Sequence, residues 1–357
     1  MKRVLIVGMY PNIGGTETFI MNYFRHIDKT KVQVDFINMY DHLYFEDEIK
    51  SLGGNVLKVT NVKKNPFKYK KELISILKNY DVVHINMLSC ANVLPLICAK
   101  KANVNKIIVH SHNSGTPKGL LRKVLDKINK GKIRKSEATF VACSKKAGEW
   151  MFGTNSNFSV LNNAIDVDKF AYNYTKRQEI RNKLGINEDE ILLGHIGRFV
   201  EQKNHKQLIE VFKKISEKHP IYKLILVGEG PLEEEIKEEV SKLGLTEKVI
   251  FYGVSENTSE LYNAFDIFVL PSLYEGLPLV GVEAQCNGLP CFFSNNISEE
   301  VKITSNAFFI DYNDDNSIDK ILNANLNRNE NAVIEITNNR YNIEKEVNNL
   351  LNLYLSE

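Results

Sequence analysis

Short runs rich in Val, Ile and Leu alternate along the whole chain with stretches whose apolar residues recur at helical spacing. In the first half these runs lie at residues 3–8, 32–38, 55–59, 81–85, 106–110 and 138–142. A second series follows at residues 191–197, 223–227, 248–252, 266–270, 289–293 and 307–310. This alternation predicts an α/β fold with parallel sheets, whose ligand-binding loops leave the C-terminal ends of the strands. At 357 residues the chain exceeds what one hydrophobic core covers. Two Rossmann-like domains are therefore expected, 1–167 and 168–341, with the junction near residues 162–170. A last amphipathic helix, carrying Ile343, Val347, Leu350, Leu351 and Tyr354 at helical spacing, is expected to pack back on the first domain as part of residues 342–357.

Charge refines this picture. The net charge of +2 conceals 26 Lys and Arg against 12 Asp and Glu in residues 1–165, an excess of +14 that leaves −12 for the remainder. The basic residues concentrate in 118–135, where Lys118, Arg122, Lys123, Lys127, Lys130, Lys132, Arg134 and Lys135 face one acid, Asp126. Leu120, Leu121, Val124, Leu125 and Ile128 form the apolar set of that segment. Two readings stand: a helix lying on an anionic membrane surface, or a core-facing helix with a solvated basic face. Cys90, Cys98, Cys143, Cys286 and Cys291 form no C-x-x-C pair and sit among apolar residues, as expected of buried free thiols in a reducing, cytoplasmic setting. The opening run Val4-Leu5-Ile6-Val7 is too short for a signal segment, and no apolar run reaches bilayer-spanning length, so any membrane contact is expected to be peripheral.

The most specific chemistry lies in Glu275-Gly276-Leu277-Pro278-Leu279-Val280-Gly281-Val282-Glu283, two carboxylates with seven residues between them. The preceding strand and a helix over 280–287, stopped by Gly288, place Glu275 on a loop and Glu283 on the helix. Free amides over residues 276–280 would then leave the helix N-terminus pointing at an anion such as a diphosphate. The flanking carboxylates could accept hydrogen bonds from sugar and ribose hydroxyls; the plain alternative is an ordinary strand–loop–helix unit with solvated carboxylates. Arg198 and Lys203 follow another strand at the same sheet edge, where two cations can neutralise a departing nucleoside diphosphate. Gly228-Glu229-Gly230-Pro231 lacks the third glycine of the dinucleotide fingerprint, with Glu233 in its place; this turn and Gly253-Val254 either admit a nucleoside or are purely structural. Gly14-Gly15-Thr16-Glu17 opens a helix over 18–24, and His112 follows a strand within Val109-His110-Ser111-His112-Asn113-Ser114. Asp166-Val167-Asp168 has the spacing of a metal-binding D-x-D, but it falls in the interdomain turn, so neither a metal site nor a required divalent ion is expected.

Taken together, Gly14-Gly15, His112-Asn113, Asn162-Asn163-Ala164-Ile165-Asp166, Gly197-Arg198 with Lys203, Gly228-Glu229-Gly230-Pro231, Asp266 to Ser272, the E-x7-E pair and Gly288-Leu289-Pro290 resemble glycosyltransferase family 4. These are retaining enzymes of the GT-B fold, and the likeness is to bacterial capsular and exopolysaccharide members. The resemblance implies that the second domain binds a sugar nucleotide, the first binds the acceptor, and chemistry occurs in the cleft between two facing sheets. It implies that Arg198 and Lys203 bind the diphosphate and Glu275 contacts the donor sugar. By the same carry-over, Gly276, Leu277, Pro278, Leu279 and Val280 line the phosphate and sugar, Glu283 holds the ribose and Gly253 with Val254 meets the base. Gly15 and His112 would complete the site. Leu277 and Leu279-Val280 fall where relatives vary, so they do not identify the sugar. The expected activity is hexosyl or N-acetylhexosaminyl transfer from a nucleotide-sugar, UDP-linked by expectation, to a polyprenyl-diphosphate-linked saccharide, with no other cofactor. The rivals are a soluble relative acting as an epimerase or small-glycoside transferase, and a non-catalytic nucleotide- or nucleic-acid-binding protein. The basic segment has no interleaved aromatics, which argues against nucleic acid.

Overall fold

Val4 and Ile6 pack into one hydrophobic cluster and Leu5 and Val7 into another, because helices cover both faces of the strand that carries them. A strand buried on both sides has no reason to alternate polar with apolar, and the run Val4-Leu5-Ile6-Val7 does not. The computed structural model describes residues 1–113, 115, 117, 119–255 and 257–356. Lys118 and Ser114 of the segments singled out above lie outside the described residues.

The chain forms two compact units, Met1–Ala164 with the segment from Ile343 onward, and Ile165–Asn342. In the first, β1 (Lys2–Val7), β2 (Val32–Asn38), β3 (Val56–Lys58), β4 (Val82–Met87), β5 (Lys106–Ser111), β6 (Thr139–Ala142) and β7 (Ser159–Val160) make a parallel sheet in the order β3-β2-β1-β4-β5-β6-β7. In the second, β8 (Ile191–Ile196), β9 (Tyr222–Val227), β10 (Val249–Gly253), β11 (Ile267–Leu270), β12 (Cys291–Ser294) and β13 (Ala307–Ile310) make a parallel sheet in the order β10-β9-β8-β11-β12-β13. Each is a Rossmann-like sheet whose strand order reverses direction once, between β1 and β4 and between β8 and β11. Loops part at such a switch point, and a ligand crevice opens outside the strand C-termini there.

The β1/β4 switch depends on Gly8. Its φ is +106°, and a Cβ at that position would meet the Asn86 carbonyl oxygen at 2.2 Å. Gly8→Ala is expected to lower stability by about 2–4 kcal/mol, combining backbone strain with a forced displacement of Asn86. Thermal or denaturant unfolding measures it; an unchanged midpoint would refute the close approach.

The helix Ile343–Leu355 packs on the helix Gly15–His26, and Tyr354 places its hydroxyl 2.8 Å from Nδ1 of His84. The strongly charged helix Tyr174–Leu184 has little apolar face, and it is held instead through Asp266. That carboxylate takes Arg177 at 2.6 Å, Arg181 at 2.9 Å and the Leu192 amide at 2.8 Å, so charge-assisted bonds offset the cost of burying it.

The basic segment forms the helix Leu120–Arg134, with an orientation that corrects one of the two sequence readings. Its inward side carries Asp126, Asn129 and Ile133, whereas Leu120, Leu121, Val124, Leu125 and Ile128 are exposed. A core-facing apolar stripe is therefore not what this helix uses to attach. Asp126 Oδ1 accepts the Cys90 amide at 2.7 Å and Asn129 Nδ2 donates to the Cys90 carbonyl at 2.9 Å, so two polar bonds set its rotation.

Candidate functional site

Lys203 and Glu275, 72 positions apart, meet at 2.6 Å between Nζ and Oε1, and Ser272 Oγ adds a bond to the same oxygen at 3.2 Å. The β8 and β11 loops that carry them are stitched by backbone and amide contacts: Leu273 N to Gln202 O at 2.9 Å, Gln202 Nε2 to Tyr274 O at 2.9 Å and Asn204 Nδ2 to Pro271 O at 3.3 Å. Asn204 sits in the left-handed region at φ +54°, which an asparagine tolerates, and turns the chain from Lys203 into the helix His205–Lys218. The cation is thus held by a braced turn rather than by a long free loop.

Beyond Glu275 the chain enters the helix Leu279–Cys286 with Pro278 as its N-cap and no side chain capping it. Among the described residues, the amides of Gly276, Leu277, Leu279 and Val280 have no acceptor. Pro278 has no N–H, so four amides rather than five are available, and they carry the positive end of the peptide dipoles. The side chains of Leu277, Leu279 and Val280 pack partly against the hydrophobic core, which pins this terminus in place.

Glu283 lies one turn further in and is only 8% exposed. Tyr262, from the helix Thr258–Ala264, donates its hydroxyl to Glu283 Oε2 at 2.8 Å and also approaches the Val280 carbonyl at 3.2 Å. Burial raises the Glu283 carboxyl to about 7, against the opposing pull of the Tyr262 bond and the Lys169 charge. A carboxyl poised there can be ionised by a ligand that offers it hydroxyl donors.

Arg198 is exposed, and no carboxylate pairs with it among the described residues. The neighbouring glycines act on the turn that carries it: a Cβ on Gly228, at φ +137°, would meet the Gly197 oxygen at 2.3 Å, and one on Gly230 would meet the Phe199 oxygen at 2.5 Å. The G-x-G therefore lets two backbone segments close on each other and fixes the 197–199 turn. Gly253, at φ +77°, ends β10 and accepts the Gly228 amide at 2.8 Å, leaving Val254 exposed beside it. His195 and His205, beneath this turn, are buried and neutral; burial, then the Lys203 charge, lowers His205 to about 4.

On the first unit, His112 lies at the β5 end. Asn86 turns its Nδ2 toward the Val7 carbonyl at 3.4 Å, so its Oδ1 accepts Nε2–H of His112 at 2.7 Å. That network assigns the tautomer and leaves Nδ1 of His112 as an acceptor. Burial, with His84 nearby, lowers this imidazole to about 3, so it is neutral at physiological pH. Gly15 has open space where a side chain would stand, but Glu17 folds back over the same helix N-terminus and accepts the Tyr10 amide at 3.0 Å. The turn thus holds a carboxylate beside the helix N-terminus, which disfavours a phosphate there. Asp166 caps the short helix Val167–Phe170 by accepting the Lys169 amide at 3.1 Å.

The model of the glycosyl transferases group 1 family matches residues 176–346, a span that contains both stitched loops and the E-x7-E helix. The relative EpsF from Bacillus subtilis (strain 168) is 36% identical over 313 residues, covering 84% of this chain and 81% of its own. The chain belongs to the glycosyl transferases group 1. It is an enzyme of the hexosyltransferase class. Another relative, the Escherichia coli UDP-Gal:alpha-D-GlcNAc-diphosphoundecaprenol alpha-1,3-galactosyltransferase, is 29% identical over 309 residues, 80% of this chain and 79% of its own. The crystal structure of Anabaena Alr3699/HepE in complex with UDP and glucose superposes with a TM-score of 0.83 over all of both chains at 17% identity, a likeness of fold. The group 1 enzyme described here accordingly has the GT-B fold of two Rossmann-like domains.

Several side chains of this glycosyltransferase escape a reading of the sequence. Ser272 and Gln202 bear on the Lys203–Glu275 pair, Tyr262 on Glu283 and Asn86 on His112. Ser272, three residues before Glu275, and Gln202, next to Lys203, are neighbours in sequence of the pair they brace, whereas Tyr262 and Asn86 arrive from separate elements.

Proposed function

We propose that this enzyme transfers a hexose or N-acetylhexosamine, with retention, from a UDP-sugar to a polyprenyl-diphosphate-linked saccharide during bacterial capsule or exopolysaccharide assembly. The observation that carries the reading is the open N-terminus of the helix Leu279–Cys286, bracketed by the Lys203–Glu275 pair and by buried Glu283. An anion is favoured where four amides converge, hydroxyls where carboxylates wait. In this reading Lys203 and Arg198 take the diphosphate, Glu275 a sugar hydroxyl, Glu283 the ribose, and the Gly253–Val254 edge the base. Nδ1 of His112 accepts from a sugar hydroxyl. The Glu17 carboxylate beside Gly15 makes that turn the weakest member of the set.

Glu275 is neutralised by Lys203, which suits a positioning carboxylate better than a free nucleophile. The reaction we favour breaks the anomeric C–O bond to the diphosphate and forms one to the acceptor oxygen on the same face. The acceptor proton passes to the departing phosphate oxygen. The protein's share is orientation and stabilisation of the charge on the leaving group. The UDP assignment is supported by the UDP complex of the HepE fold neighbour and by the UDP-Gal donor in the E. coli relative's name; the latter also supports a lipid-diphosphate acceptor. Five buried free cysteines support the cytoplasmic side of the membrane, and among the described residues no helix is long and apolar enough to cross it. Incubating the enzyme with UDP-, GDP- and ADP-sugars and an N-acetylglucosaminyl-diphosphate-lipid, with mass detection of products, is expected to yield a product one hexose or N-acetylhexosamine heavier from a UDP-sugar. Donor consumption that needs no acceptor, or turnover of only GDP- or ADP-sugars, would reject the assignment.

A further inference from the structure

The helix Leu120–Arg134 is inside out by the usual rule. Leu120, Leu121 and Ile128 are 81%, 73% and 56% exposed, with Val124 and Leu125 beside them, at positions i, i+1, i+4, i+5 and i+8 of one stripe. Its inward side carries the polar Asp126 and Asn129, with Ile133 the one fully buried apolar side chain. Besides the two bonds to the Cys90 peptide, Lys130 sits 3.3 Å from Asp126 Oδ2 and 3.6 Å from the centre of the Trp150 ring. Rolling the helix to hide its leucines would strip buried Asp126 and Asn129 of their Cys90 bonds and Lys130 of the Trp150 ring, so the apolar stripe is locked outward. Each of these side chains gains about 1.5–3 kcal/mol on full burial, and a stripe fixed in water by a polar underside has its burial elsewhere. Lys123, Lys127, Lys132, Arg134 and Lys135 are exposed on the same helix or at its end. Against an anionic surface each contributes roughly 1 kcal/mol. Apolar stripe and basic rim together have the chemistry of the boundary between acyl chains and anionic headgroups.

A second observation points the same way. Arg122 and Leu125 of this helix also line an open cavity of about 560 Å³ at the C-terminal ends of β1 and β4, the switch point of the first sheet. Tyr10 and Tyr40 stand in its wall with ring centroids 6.1 Å apart, a surface on which a pyranose can lie. Lys63 and Arg122 line it as cations with no carboxylate partner among the described residues. Leu88 and Leu125 add apolar wall. Two free cations, an aromatic pair and an apolar edge in one cavity match a sugar joined to a lipid through a diphosphate.

We propose that the helix Leu120–Arg134 lies in the surface of an anionic bilayer and leads a lipid-diphosphate-linked acceptor into this cavity, Arg122 and Lys63 taking its diphosphate and Tyr10 and Tyr40 its first sugar. The identity of the acceptor rests on the glycosyl-transfer reading above; the membrane seat and the diphosphate site do not, and the tests need no turnover. The full chain is floated with phosphatidylcholine vesicles with or without about 30% phosphatidylglycerol, at low salt and about 0.5 M salt, where charge is screened. The protein is expected to float with the anionic vesicles at low salt, and Leu121→Gln/Ile128→Gln to reduce the bound fraction about fivefold or more with an unchanged thermal midpoint. Lys123→Gln/Lys127→Gln is expected to reduce binding at low salt and serves if the first variant is unstable. No flotation of the parent, or undiminished flotation of the variants, overturns the membrane seat. For the cavity, calorimetry with saturating UDP present compares farnesyl diphosphate with farnesol. Binding is expected to require the diphosphate and to weaken about tenfold in Arg122→Ala, as for a lost charge-assisted contact. Equal binding of the alcohol, or a variant that binds like the parent, overturns the diphosphate site.

Discussion

Lys203→Met is expected to lower kcat/KM for the nucleotide-sugar by about 10³-fold, the scale reported for losing a group aimed at developing transition-state charge, while the fold survives. Its Nζ lies 2.6 Å from Glu275 in a partly buried turn, so the substitution acts twice. The diphosphate loses a fixed cation, and Glu275 keeps only the Ser272 hydroxyl and is free to swing away from the sugar. The fold should hold because the two loops remain joined by Leu273–Gln202, Gln202–Tyr274 and Asn204–Pro271, none of which uses the lysine side chain. A hydrophobic stem of similar length also keeps the packing of Lys203 Cδ and Cε against Gly197. Lys203→Arg should recover part of the rate, since it restores charge with a different reach. Steady-state kinetics with a saturating acceptor, alongside thermal unfolding, measures both halves of the expectation. Near-normal turnover in Lys203→Met would remove the lysine from the donor site.

The parallel strands were most legible where burial on both faces makes an uninterrupted apolar run, as in Val4–Val7 of β1 and Ile267–Leu270 of β11; the runs at 32–38 and 307–310 also coincide with β2 and β13. β7, two residues long at Ser159–Val160, carries no periodic signal and is made by pairing with β6. The loops that carry Arg198 and Glu275 were also legible, since a strand followed by Gly197-Arg198 or by Glu275-Gly276 must leave the sheet at its C-terminal edge. What the sequence leaves open is side-chain partnership. Nothing local joins Lys203 to Glu275, or Tyr262 to Glu283 across two helices. The Leu120–Arg134 segment shows the same limit: its amphipathic pattern is plain, but which side turns inward was decided by Asp126 and Asn129 against the backbone N–H and C=O of Cys90 in a distant loop. Likewise the glycines of Gly228-Glu229-Gly230 have their explanation in the backbone of another loop.

Donor binding is expected to strengthen as pH rises through about 7, with Glu283 as the group responsible. Burial holds this carboxyl protonated up to about 7, with Tyr262 donating to it and Lys169 nearby, both opposing the shift. A ribose that offers hydroxyl donors needs the carboxylate, so below the folded pKa the apparent affinity should fall about tenfold per pH unit, to roughly tenfold weaker at pH 6 than at the plateau. Stability runs the other way. The folded pKa lies above the unfolded value of 4.5, so this group's contribution is fully present below about 4.5 and lost as pH rises through about 7, a change of about 3 kcal/mol. Glu283→Gln cannot ionise: it should bind the donor weakly at every pH and lose this component of the pH dependence in both binding and unfolding. The imidazoles of His84 and His112, lowered to about 3, and of His205, lowered to about 4, titrate well below the window. Calorimetric UDP affinity and denaturant unfolding from about pH 5.5 to 8.5 separate the two trends. A flat affinity profile in the parent, or a Gln variant that keeps the parent's slope, would take the ribose away from Glu283. Opposite slopes for binding and stability, both abolished by one amide, are hard to obtain from a carboxyl that merely packs the helix Leu279–Cys286 against Tyr262.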